Sequence, residues 1–123
     1  MSLIRQVAVK FLDYYKINKD VSVALVGDKT MKRLNKQSRG IDRVTDVLAF
    51  VDDDPEFLGE IIINYAQIKR QAPRFDNSVR AELTFVLVHG LLHLLGYEDE
   101  TREGKQEMER LGKKFVNRLQ IHK

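Results

Sequence analysis

Apolar and polar residues follow two different periods along the chain, and these periods predict a series of helices and strands. Apolar side chains recur with helical spacing over residues 3–16, directly after Ser2, whose hydroxyl can cap the helix. A second helix is expected from Asp28, acting as its cap, to about residue 37, with Gly40 close after its end. Runs rich in β-branched or apolar residues predict strands at residues 21–26, 47–51 and 58–64.

The second half of the chain is predicted to be mainly helical. The acidic turn at residues 52–55 is short, so the strands on either side of it should pair antiparallel. A short helix is expected at residues 65–71, and Pro73 limits its end. A long apolar helix follows, capped by Asn77 or Ser78 and ended by Gly96. Thr101 should cap a last helix, whose apolar face carries Met108, Leu111, Phe115 and Leu119.

This order of elements predicts an α+β fold in which helices cover a small mixed β-sheet. The 123 residues are 43% hydrophobic, which is enough for one core, so we expect a single domain over residues 1–123. The absence of cysteine excludes disulfide scaffolds, thiolate metal sites and cysteine nucleophiles. The most apolar stretch, residues 83–95, is shorter than the roughly 20 residues that span a bilayer. With no secretory signal visible, the sequence predicts a cytoplasmic protein that does not associate with membranes.

The long apolar helix carries the residues with the clearest chemistry. His89 and His93 are four residues apart, so both imidazoles lie on one helix face and are able to share one metal ion. Three acidic residues, 98–100, follow Gly96 and can return to the same ion. The alternative is a hydrogen-bonded pair of core histidines, but two of the three histidines in the chain lie here, where unpaired imidazoles are costly to bury. Position 90 is glycine, where metalloproteases of the HExxH type carry their general base, which argues against a peptidase.

Three sequence blocks resemble the YbeY family of metal-dependent endoribonucleases, also called rRNA maturation factors. Residues 89–100 read HGLLHLLGYEDE, and the family pattern is H-G-x-L-H-L-x-G-Y-D-H. Residues 39–50 read RGIDRVTDVLAF, similar to R-G-x-x-x-x-T-D-V-L-S-F, and residues 58–61 read LGEI, similar to L-G-D-I. The blocks keep the family's order and approximate spacing, and the resemblance covers nearly the whole chain.

The resemblance implies a metalloprotease-like arrangement with the metal on a central helix. It implies one divalent ion, Zn²⁺, bound by His89, His93 and Asp99, the last at the position where the family has a third histidine. The neighbouring acids Glu98 and Glu100 stay open as alternative ligands. Because an aspartate replaces a neutral imidazole, the net charge of the site falls from +2 to +1, and a bound water should be acidified less strongly.

The resemblance also implies a function. It implies a single-strand-specific, metal-dependent endoribonuclease that acts in rRNA maturation and ribosome quality control and hydrolyses phosphodiester bonds with a metal-bound water. Arg39 matches the family's functional arginine, and its planar guanidinium suits a phosphate. Glu60 would hold a ligand histidine in place. On the residues alone, the pattern favours an exposed loop residue at Arg39, and Glu60 could equally be a strand residue that faces solvent.

The distribution of charge is consistent with an acidic partner. Residues 28–43 carry six basic and two acidic side chains, and residues 69–80 carry four and one. These segments are expected to bind RNA, namely rRNA precursors and the ribosome, rather than a small molecule, although such runs are also typical of solvated helix faces. A second hypothesis is a non-catalytic RNA- or ribosome-binding member of the family with a structural or altered metal site. No role is expected for His122.

Overall fold

The computed structural model describes residues 2–119, and His122 lies outside this range. Within this range the chain forms five α-helices, three β-strands and one short 3-10 turn at Pro73–Phe75. The elements follow in the order α1 (Leu3–Tyr14), β1 (Asp20–Val26), α2 (Asp28–Arg39), β2 (Val47–Val51), β3 (Phe57–Asn64), α3 (Tyr65–Gln71), α4 (Val79–Leu94) and α5 (Arg102–Leu119). The predicted α+β class is confirmed, and each predicted helix and strand is present.

The three strands form one mixed sheet in the order β1-β3-β2. The central strand β3 pairs with β1 in parallel and with β2 antiparallel, so the predicted pairing across the acidic turn is confirmed. The side chains of β3 alternate between the two faces of the sheet. Ile61 and Ile63 pack on one side with α4, whereas Ile62 packs on the other side with Met31 of α2.

Helix α4 is the centre of the molecule. Eleven of its sixteen residues are buried, because α1, α3 and α5 pack around it and the sheet covers another side. A helix buried on nearly all sides shows little amphipathic periodicity, which explains why residues 83–95 read as a continuous apolar run. No helix in the described part of the chain is both long enough and apolar enough to cross a membrane.

Hydrogen-bonding side chains define where the helices begin. Ser2 accepts a hydrogen bond from the Arg5 amide, and Ser78 accepts one from the Ala81 amide, as the N-cap residues of α1 and α4. Thr101 likewise accepts from the Gly104 amide at the start of α5. The prediction that Asp28 caps α2 is wrong. Gly27 is the N-cap residue, with no side-chain bond, and the Asp28 carboxylate instead accepts hydrogen bonds from elsewhere in the fold.

Asp28 connects α2 to the segment that follows β3. Its carboxylate accepts hydrogen bonds from Asn64 Nδ2 at 2.7 Å and from both terminal nitrogens of Arg70 at 2.8 and 2.6 Å. The hydrogen bonds from Arg70 and Asn64 lower the pKa of Asp28 to about 2. The acidic residue at the helix start therefore joins α2 to α3 and also complements the positive end of the helix dipole.

Candidate metal centre

The two histidines of α4 lie beside the sheet because the helix comes unusually close to it. Gly90 faces the strands, and a β-carbon at this position would lie 3.1 Å from Ile61 Cγ2 and 3.3 Å from Val47 Cγ2. Glycine thus allows α4 to contact β2 and β3 directly. His89 and His93 are one turn apart, and their ring centroids are 4.8 Å apart with an interplanar angle of 82°. About a third of each imidazole side chain is exposed.

The chain reverses direction directly after α4 and returns an acidic residue to the histidines. The Gly96 amide donates to the carbonyl of His93, and the Tyr97 amide donates to the carbonyl of Leu92. Gly96 has a φ of 101°, a conformation that L-residues with side chains rarely adopt. The turn therefore requires glycine here, and it places Asp99 next to the histidine face.

Asp99 lies between the two imidazoles. Its Oδ2 atom is 3.2 Å from His89 Nε2 and 3.5 Å from His93 Nε2, and one ligand-type atom from each residue lies within 4.8 Å of the other two. Ligands of a tetrahedral zinc ion at about 2.0–2.1 Å are separated by roughly 3.4 Å. The separations between Asp99 and the histidines fit this value. Two imidazoles and a carboxylate are also a donor set that binds zinc, so the residues fit a divalent metal ion.

The neighbouring acids take different positions. Glu98 accepts hydrogen bonds from the Glu100 amide, the Thr101 amide and the Thr101 hydroxyl at 2.6, 3.0 and 2.7 Å. These hydrogen bonds lower the pKa of Glu98, and the bond from the Thr101 hydroxyl has the largest effect. Its carboxylate thus stabilises the start of α5. Among the described residues, the side chains that lie close enough together to hold a metal ion are those of His89, His93 and Asp99.

The environment of Asp99 favours its charged form. Partial burial raises the pKa of Asp99, but attraction to His93 and His89 and a hydrogen bond with His89 together outweigh burial and lower it. A carboxylate that stays ionised near neutral pH is available as a ligand. The position of Asp99 and its charged form therefore both favour a role as a metal ligand.

The cluster lies in a cleft of about 440 Å³. Arg39, the last residue of α2, lines this cleft together with the three clustered residues and most of β2. No hydrogen bond or ion pair joins the Arg39 side chain to another residue of the described chain, so its guanidinium can meet a ligand. The structure thus brings four of the five predicted site residues to one cleft: Arg39, His89, His93 and Asp99.

Glu60 lies elsewhere. It is exposed and two residues before Ile62 on β3, so it shares the sheet face that packs with α2, opposite the face covered by α4. It does not line the cleft, and the structure does not bring its carboxylate to either histidine. The sequence could not reveal this, because the face of a strand residue depends on which neighbouring side chains are buried.

The sequence reasoning missed the opposite wall of the cleft. Thr45, Asp46 and the strand β2 line it, although they lie in the same block that begins at Arg39. Gln71 Nε2 donates hydrogen bonds to Asp46 Oδ2 at 3.0 Å and to the buried Glu82 Oε2 at 2.8 Å. Gln71 therefore fixes the position of the Asp46 carboxylate. The length of the block, which continues from Arg39 through the strand, was the available signal.

Comparison with known proteins identifies the family of this chain. The family model described as "Endoribonuclease YbeY" matches residues 1–120. The endoribonuclease YbeY of Clostridioides difficile is 34% identical over 129 residues, covering 96% of this chain and 84% of the relative. That of Mycoplasmopsis synoviae is 36% identical over 121 residues, covering 90% and 78%.

A solved structure has a similar fold. The solution structure of TM1509 from Thermotoga maritima is similar to this chain with a TM-score of 0.67 and 35% identity, covering 93% of this chain and 79% of that one. The family match spans nearly the whole chain, and the curated relatives exceed 30% identity over most of their length. The chain therefore belongs to the endoribonuclease YbeY family.

Proposed function

We propose that this protein is a metal-dependent endoribonuclease that cuts single-stranded RNA in the cleft between α4, β2 and the end of α2. The observation that carries the proposal is the meeting in one cleft of three ligand-type side chains and Arg39, which has no partner among the described residues. Phosphodiester hydrolysis needs a nucleophile and positive charge near the phosphate oxygens. The cleft offers residues suited to both requirements.

His89, His93 and Asp99 would hold the divalent ion, and we propose Zn²⁺. A zinc ion held there would supply a Lewis acid that polarises the phosphate and lowers the pKa of a coordinated water. The histidines act from a helix that is fixed on several sides, so their side chains are well placed before an ion binds. Asp99 acts from a loop whose position depends on the bonds of Glu98 to the start of α5.

Arg39 would bind the phosphate. Its planar fork can donate two parallel hydrogen bonds to phosphate oxygens, and it lies at the end of a helix rich in lysine and arginine. Four carboxylates also line the cleft: Asp46, Glu98, Asp99 and Glu100. Without a cation these carboxylates repel phosphate. RNA binding in the cleft should therefore depend on the metal, as cleavage does.

We further propose the biological setting that the family resemblance implies. The substrate would be rRNA precursors, the partner would be the ribosome, and the work would be rRNA maturation and ribosome quality control in the cytoplasm. The basic segments around Arg39 support an RNA partner, since lysine and arginine neutralise phosphate charge in a salt-dependent manner. A single domain of residues 1–123 would perform this function.

One observation favours a second candidate, a non-catalytic RNA- or ribosome-binding member. Asp99 stands where the family pattern has a histidine, so the site carries a net charge of +1 rather than +2 when a divalent ion is bound. A less positive site activates water less strongly. If this effect dominates, the ion would stabilise the fold and the cleft would bind RNA without cutting it.

One experiment separates the two candidates. The protein is purified without a metal-chelating tag, its metal content is measured by elemental analysis, and cleavage of single-stranded RNA is assayed. The variants are His93→Ala and Arg39→Ala, with Arg5→Ala as the control, because Arg5 is an exposed arginine of α1 that does not line the cleft.

We expect bound zinc and cleavage in the wild type and in Arg5→Ala. His93→Ala should lose both, whereas Arg39→Ala should lose cleavage and retain zinc. Zinc with RNA binding but no cleavage in the wild type would support the non-catalytic candidate. The third ligand is tested by comparing Asp99→Asn with Glu100→Gln, because Glu100 lines the cleft but lies outside the cluster. Equal zinc content in these two variants would contradict the role of Asp99.

A further inference from the structure

The strand β2 has an open edge that faces the cleft. It is the outer strand of the sheet on this side, since the strand order is β1-β3-β2. The Asn64 amide donates to the Asp46 carbonyl, and the Asp52 amide donates to the Leu58 carbonyl. In an antiparallel ladder such bonded pairs recur at every second residue. Leu48 and Phe50 therefore direct their main-chain groups to β3, where they pair with Ile62 and Glu60.

The other main-chain groups of β2 point outward. By the same alternation, Val47, Ala49 and Val51 direct their N–H and C=O groups away from β3, and no strand of the described chain pairs with them. Val47 and Ala49 line the cleft that contains the histidines and Arg39, whereas Val51 does not line it and is 64% exposed. Ala49, whose N–H and C=O point away from β3, is thus one of the residues that line the cleft.

This edge lacks the features that normally protect an exposed strand. The residues of β2 are VLAFV, with no charged side chain and no proline, and its ladder with β3 is regular. Exposed edges usually carry such features because they would otherwise pair with other molecules. An unprotected edge next to a site is therefore suited to hold a ligand that both donates and accepts hydrogen bonds.

The charge of the surroundings selects the kind of ligand. Arg39 lies in the same cleft without a partner among the described residues. Four carboxylates also line the cleft, so an anionic chain fits here once a divalent ion is bound. A nucleotide combines a phosphate with a base edge that donates and accepts hydrogen bonds.

We propose that the free edge of β2 at Ala49 binds a nucleobase of single-stranded RNA next to the phosphate held by Arg39. This inference rests on the proposed function and adds a specificity determinant to it. A base in a duplex already uses its Watson–Crick edge, so only an unpaired base can offer that edge to the strand. The main chain of β2 thus provides a physical reason for single-strand selectivity that depends on no side chain.

Proline substitution tests the edge directly. Ala49→Pro removes the outward N–H without removing a hydrogen bond to β3, and proline is tolerated at such edge positions. Val51→Pro is the matched control, because it makes the same change on the same edge outside the cleft. Zinc-loaded protein is mixed with a short single-stranded RNA containing all four bases, or with a chain of abasic ribose phosphates of equal length.

We expect Ala49→Pro to weaken binding of the RNA about tenfold, the effect of losing roughly one hydrogen bond, and to leave binding of the abasic chain unchanged. Val51→Pro should bind both like the wild type. Equal weakening for both chains, or no weakening for either, would overturn the proposal. Cleavage by the wild type is measured in parallel, so that absence of cleavage refutes the proposed function and absence of base dependence refutes only this inference.

A measurement on the wild type covers the case in which Ala49→Pro does not fold. Hydrogen exchange of single amides is followed with and without the RNA. The Ala49 amide should exchange more slowly when RNA is bound, whereas the Val51 amide should not change. Equal exchange at Ala49 with and without RNA would overturn the proposal. Stronger protection of Ala49 by an extended acidic peptide than by RNA would also overturn it and would assign the edge to a protein partner.

Discussion

The close approach of α4 to the sheet predicts opposite effects for one substitution at two helical glycines. At position 90 an added β-carbon would meet Ile61 and Val47 at 3.1 and 3.3 Å, closer than ordinary van der Waals contact. At Gly112 of α5 an added β-carbon would lie 4.0 Å from its nearest neighbour, Val88 Cγ1, which leaves room for a methyl group. Both residues lie inside helices.

The two effects can be separated in magnitude. Replacing glycine by alanine inside a helix stabilises it by about 0.5–1 kcal/mol at either position. Overpacking at position 90 costs about 1–3 kcal/mol, since both neighbours are β-branched and cannot easily rotate away. Gly112→Ala should therefore raise the free energy of unfolding by about 1 kcal/mol. The two variants should differ by about 1–3 kcal/mol, because the helix term cancels in the comparison.

Urea denaturation of the wild type and both variants measures this difference, with unchanged slopes showing that the comparison is valid. Zinc content of Gly90→Ala should also be measured, because a displaced α4 carries both histidines with it. If the two alanine variants are stabilised equally, the tight contact between α4 and the strands does not exist. Glycine at position 90 would then not be needed for α4 to contact β2 and β3.

Three further predictions concern the site and the surrounding fold. Zinc at one hundred times its dissociation constant should stabilise the metal-free protein by about 2.7 kcal/mol in thermal unfolding, and His93→Ala should remove this gain. Ser78→Ala should destabilise the protein by about 1 kcal/mol in urea, through loss of the cap of α4. Because folding lowers the pKa of Asp28 from 3.8 to about 2, its contribution is present above pH 3.8 and is lost as the pH falls through this window. Urea unfolding across the window should show a smaller loss for Asp28→Asn than for the wild type, and parallel losses would contradict the role of Arg70.

Local signals predicted most of the fold. Ser2, Ser78 and Thr101 mark three helix starts because a hydroxyl at the cap position has one short-range partner, the amide three residues later. Asp28 carries the same signal, but its carboxylate pairs with Asn64 and Arg70, 36 and 42 residues away. Such long-range partners are not visible in a local pattern, so the cap was assigned to the wrong residue.

The candidate site likewise has a part that local sequence predicts and a part that depends on long-range contacts. The spacing of His89 and His93 is a property of one helix, so the sequence alone predicts that they share a face. The choice of Asp99 over its two neighbours depends on a turn of the chain and on the bonds of Glu98, which only the folded structure reveals. Glu60 depends on the face of a strand, and β2 as a wall of the cleft depends on the order of strands in the sheet.

The loop between the last two helices would give a bound ion a part in stabilising the fold. Two of the proposed ligands belong to α4, and the third belongs to the segment that leads into α5. Hydrogen bonds from Thr101 to the Glu98 carboxylate connect this segment to the start of α5. An ion bound by all three ligands would hold the C-terminal helix against the rest of the molecule. By thermodynamic reciprocity, an ion that stabilises the packed position of this helix is itself bound more tightly, by the same free energy, when the helix is packed.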